Sequence, residues 1–79
     1  MKISVTQQHI DRGDKAICSS CPIALALKDA GWGKPWVGRY EAQDVSGRRY
    51  PIPEKAVQFM KAFDNGRPVE PFTFELEER

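Results

Sequence analysis

The sequence predicts an α+β fold of the ferredoxin-like, βαββαβ kind: a four-stranded antiparallel sheet with two helices on one face and a short helical insertion after the first strand. Three observations predict it. Segments of period two and period 3.6 follow one another in the order strand, helix, strand, strand, helix, strand. Both main helical segments carry an apolar stripe, and the strands share one apolar face to receive them. The chain has 79 residues, enough for one domain over 1–79 with a modest core.

The elements follow in order. Ile3 and Val5 alternate with Lys2, Ser4 and Thr6 as a half-buried strand. Thr6 is placed to cap a short helix from Gln7 to Arg12, with Gly13 ending it in a left-handed conformation. After a loop from Asp14 to Ser19, Ser19 or Ser20 caps a second helix whose first turn accepts Pro22. Ile23, Ala26, Leu27 and Ala30 form its apolar face, and Gly31 and Gly33 stop it. Trp36–Val45 and Arg48–Ile52 read as two strands joined at Ser46-Gly47, a hairpin signal. Alternation puts Trp36, Tyr40 and Ala42 on the buried face with Tyr50 and Ile52, and Arg39, Glu41 and Arg49 on the other. Pro53 opens a helix with the stripe Ala56, Val57, Met60 and Phe63, ended by Asn65-Gly66. Phe72, Phe74 and Leu76 alternate with Thr73 and Glu75 as the last strand.

Composition narrows the function classes. Hydrophobic residues make up 41% and charged residues 29%, the balance of a globular chain. A net charge of +1 supplies no general attraction to nucleic acid or anionic lipid. No window is long and apolar enough to span a membrane, and the polar turn after Met1 lacks a signal-peptide core. The expectation is a cytoplasmic protein with reduced cysteines.

Cys18-Ser-Ser-Cys21, just ahead of a helix, carries the most specific chemistry. As a zinc site it is the usual C-x₂-C half, and it needs two more ligands. His9, the single histidine, and Asp14 are the candidates, with Asp11 an alternative to Asp14. A homodimer sharing one zinc through two thiols from each chain satisfies the count equally. As a redox pair the spacing resembles the thioredoxin arrangement, yet about a dozen residues separate the first strand from Cys18 and no tryptophan precedes it. The plain alternative packs Cys21 as a small apolar residue and makes His9 a local cap. With one histidine and no oxyanion site in view, no catalytic set assembles, and the expectation is a protein that is not an enzyme.

The remaining features suit recognition. Arg39, Arg48 and Arg49 lie on the central hairpin beside Tyr40 and Tyr50, a combination able to hold phosphates and stack bases. The alternation buries both tyrosines, which disfavours nucleic acid. Trp36 belongs by this pattern to the strand and core, whereas Trp32, between glycines, is free to anchor a partner.

Thr6-Gln-Gln-His9-Ile10 with Gly13, the box Cys21-Pro22-Ile23-Ala24-Leu25-Ala26, Arg48-Arg49-Tyr50 before Pro53, and Phe59, Phe63-Asp64, Gly66, Pro68 and Pro71-Phe72 carry a resemblance. Over most of its length the chain resembles small uncharacterised proteins encoded by bacteriophages and bacteria. The resemblance implies a short accessory or host-modulating protein and supplies no catalytic residues. The expected function is therefore binding another protein through Trp32, Arg39, Arg48 and Arg49. The alternatives are a thiol metal or redox site at Cys18 and Cys21, and nucleic-acid binding through the arginine hairpin.

Overall fold

The structure, a computed structural model, describes residues 1–15, 17 and 19–76. Its elements are β1 (Lys2–Val5), α1 (Gln7–Arg12), α2 (Pro22–Leu27) with a π-helical continuation (Lys28–Trp32), β2 (Trp36–Val37), β3 (Glu41–Gln43), β4 (Arg49–Pro51), α3 (Glu54–Asp64) and β5 (Phe72–Glu75). The α+β class is as expected; the sheet is not. Among the described residues β1 and β5 form one antiparallel pair and β2-β3-β4 a separate three-stranded antiparallel sheet, in place of a single four-stranded one.

Two local causes separate the sheets. The first is a turn inside the segment expected as one long strand. The Gly38 amide donates to the Glu41 carbonyl at 2.7 Å, so the chain folds back and Trp36 and Val37 pair with Gln43 and Ala42. The second is proline at the outer edge of β4. Tyr50 pairs with Ala42, and the Ile52 amide donates to the Tyr40 carbonyl at 3.0 Å, so residues 50 and 52 face β3. Residues 51 and 53 therefore face away, and both are prolines with no amide hydrogen. A further strand cannot build a ladder on that side.

The turn also reverses part of the expected facing. Val37, Ala42, Tyr50 and Ile52 are buried, but Trp36 is 46% exposed and Tyr40 60% exposed. In the outward row Trp36, Gln43 and Arg49 stand side by side by register. The hairpin at Ser46-Gly47 forms as expected and is organised by Asp44. Its carboxylate accepts from the Ser46 amide (3.0 Å), the Ser46 hydroxyl (2.6 Å), the Arg48 amide (3.1 Å) and the Tyr50 hydroxyl (3.1 Å). These donors, the Ser46 hydroxyl foremost, outweigh desolvation and hold the Asp44 carboxyl below the usual carboxylate range. Gly47 supplies the left-handed residue of the turn, with φ 89°.

The core gathers on α2, where Pro22, Ile23, Ala24, Ala26 and Leu27 are buried. Ile3 and Val5 of β1, Val37 of β2, Ala42 of β3, Tyr50 of β4, Phe74 of β5 and the α3 residues Ala56, Val57, Phe59 and Phe63 join it, with Cys21, Ile52 and Leu76. Ala30, expected on the apolar face of α2, is exposed on the π-helical turn. The rings of Phe59, Phe72 and Phe74 run from α3 to β5 with centroid separations of 4.7 and 5.6 Å.

Gly13 does not take the left-handed conformation expected of it; its φ is −72°. It is needed for space instead, because a Cβ there would lie 2.6 Å from the Pro22 Cγ and Cδ atoms. This is where α1 closes on the start of α2. Gly13→Ala should thus destabilise the fold by about 1–3 kcal/mol through overpacking, despite the entropic advantage of alanine. Chemical denaturation checks this; unchanged or raised stability would show that the contact is loose.

Candidate functional site

Of the residues expected to bind a metal, His9 and Cys21 take part in capping helices. Thr6 caps α1 and accepts from the His9 amide at 3.4 Å, while the Thr6 amide donates back to His9 Nδ1 at 3.0 Å. This is a capping box with histidine where Glu or Gln usually stands. An amide can only donate, so Nδ1 carries no proton and the ring proton sits on Nε2. Nε2 donates it to the Asp29 carboxylate at 2.6 Å, tying α1 to the π-helical turn after α2. Both ring nitrogens are thereby occupied, leaving neither to ligate a metal or serve as a base without breaking the cap or the Asp29 link.

Cys21, not Ser19 or Ser20, caps α2: its Sγ accepts from the Ala24 amide at 3.4 Å, and the residue is fully buried. Cys18 lies outside the described residues, and the paired-thiol reading lies there with it. Asp14 is exposed in the loop before α2. Among the described residues no three His, Cys, Asp or Glu side chains converge as a metal site would require. No helix among them is long and apolar enough to cross a membrane.

The recognition residues divide between two places. Trp32 is half-buried, its ring 4.9 Å from that of Tyr50, and its Nε1 donates to Met1 Sδ at 3.3 Å. The two tryptophans thus exchange the parts expected of them: Trp32 packs against the core and Trp36 is open. Beside Trp32 lies a cavity of about 310 Å³, reached by Met1, Asp44, Arg48 and Leu76. Arg49 is exposed and forms an ion pair with Glu41 at 3.6 Å. The Trp36 ring lies over Gly38, where a Cβ would come within 2.8 Å of it.

Arg39 stands elsewhere, on the rim of a second, wider hollow. This groove, of about 630 Å³, runs between α3 and the β2–β3 turn. Val57, Met60, Lys61 and Asp64 line its helical wall at the i, i+3, i+4, i+7 spacing of one helix face. Val37, Gly38 and Arg39 form the opposite wall, and Ile17, 48% exposed, makes an apolar lip. Gly38 keeps that wall low because it has no side chain. The sequence shows the Val57–Met60 stripe, but only the turn at Gly38 reveals that part of it stays uncovered.

The chain matches no protein-family model, no curated protein and no solved structure. Fold and site alone define it as a small α+β protein whose most developed surface is an open apolar groove with a cationic rim.

The capping role of His9 has a measurable signature. His9→Ala should cost about 1–2 kcal/mol, from the lost box and the lost Asp29 bond. His9→Gln should cost less, because glutamine still accepts from the Thr6 amide. Thermal denaturation separates them, since each kcal/mol is worth about 4–8 °C for a domain of this size. Equal losses would place the whole effect in the Asp29 link.

Proposed function

We propose that this chain is a small non-enzymatic module that binds another protein through the groove between α3 and the β2–β3 turn. One observation carries the reading: Met60, part of the apolar stripe of α3, stays only half-buried and lines an open hollow with Val37, Val57 and the exposed Ile17. Exposed apolar concavities of this kind mark docking sites. The absence of an uncommitted base at His9 supports a binding role over catalysis. Of the residues first singled out, Arg39 belongs to this surface, while Trp32 serves the core. A short accessory protein of phage or prophage type suits a chain of 79 residues.

A second reading has one observation in its favour. Trp36 lies open on the outward face of the three-stranded sheet with Gln43 and Arg49 in its row. An aromatic ring beside hydrogen-bonding and cationic groups is the arrangement on which single-stranded bases stack. Two carboxylates, Glu41 and Asp44, share the hairpin with the four cations Lys34, Arg39, Arg48 and Arg49, which weakens the attraction for phosphate.

One experiment separates these. A photocrosslinking residue is placed in turn at positions 61, 36 and 8, and each protein is irradiated in extract of the cells that produce it. The expected result is a discrete protein adduct at position 61, absent at position 8 and abolished by Met60→Glu. Nuclease-sensitive adducts at position 36, or protein adducts indifferent to Met60→Glu, would overturn the reading.

A further inference from the structure

We infer that the groove accepts an extended peptide segment in which an apolar side chain is flanked by carboxylates. This rests on the reading of the groove as the protein-binding site and names the chemistry of what it takes.

The floor decides the apolar part. Val37 and Val57 are buried and Met60 is half-buried, so a side chain entering between them leaves water for an apolar surface. Methionine adapts to aliphatic or aromatic shapes alike, so shape selects little here.

The rim decides the charge. Arg39 projects from the turn side and Lys61 from the helix side, and both are exposed. Neither side chain has a hydrogen bond or ion pair with a described residue, unlike Asp64, which is already engaged. Two cations without a described partner, Arg39 and Lys61, face one apolar hollow that holds one acidic residue, Asp64. An acidic flank on the partner is attracted to such a rim, and a basic flank is repelled.

The edge decides the backbone. β2 ends its sheet, the position at which extended segments add as a further strand. Its register with β3 through Gly38 turns the Val37 backbone groups away from β3, toward that free side. A helical partner would gain no pairing there.

The test is selection of a random heptapeptide display library on the full-length protein. It is repeated on Met60→Glu and on the double reversal Arg39→Glu/Lys61→Glu. The expected peptides carry an apolar residue with Asp or Glu within two positions. They should bind the double reversal at least about tenfold more weakly, while the reversal itself selects Lys- or Arg-flanked peptides. All three positions are exposed or half-buried, and thermal unfolding verifies that each variant is folded. Peptides lost on Met60→Glu but without acidic enrichment, or unaffected by the reversal, would overturn the acidic-flank inference and leave the groove as the binding site. Peptides that bind Met60→Glu and the native protein alike would overturn the groove itself.

Discussion

Everything in this molecule hangs on the burial of α2. Five of its six side chains, Pro22, Ile23, Ala24, Ala26 and Leu27, are removed from water. Two- and three-stranded sheets of strands this short are marginal alone, and here each presents its apolar residues to the same core. Each fully buried Ile or Leu contributes about 1.5–3 kcal/mol, a large share of the stability available to a chain of this size. The caps protect that burial. Cys21 satisfies the Ala24 amide at the start of α2. His9 joins α1 to the turn that leaves it.

That arrangement also explains how a surface groove persists. The three-stranded sheet cannot grow past Pro51 and Pro53, so β1 and β5 make their own pair. α3 then packs its aromatic face, through Phe59, against Phe72 of that pair. Its Val57–Asp64 flank is left facing the β2–β3 turn across open space. Gly38 keeps the facing wall low and at the same time makes room for Trp36 to lie across the strand. One glycine thus shapes both the groove and the Trp36 face.

Much of the fold was legible in the sequence for simple reasons. Strong amphipathic stripes located α3, Pro22 located α2, Thr6 located α1, and Ser46-Gly47 located the hairpin. The break at Gly38 was not legible, because Trp36 to Val45 alternates well enough to pass for one strand and glycine is tolerated inside strands. The alternate prolines at 51 and 53 did carry a readable signal: the loss of two amides on one edge forbids a neighbour there. The misplacement of Trp36 and Tyr40 follows directly from the unseen turn, which resets the alternation. The cysteine–histidine constellation has the residue types of a metal site, yet His9 and Cys21 take part in helix caps here, a role that local spacing (Thr6 to His9, Cys21 to Ala24) already allowed. The groove was half legible. Met60 and Val57 were visible as an apolar stripe and Arg39 as a candidate contact, but their proximity arises only in three dimensions.

The central claim is that two small sheets form one cooperative unit because they share α2. Native-state hydrogen exchange tests it most directly. The amides of α2, of the β1–β5 pair and of the β3–β4 pair should open with the same free energy, equal to that of global unfolding. Exchange of the β1–β5 amides at a clearly lower free energy, with α2 and the hairpin still protected, would contradict it.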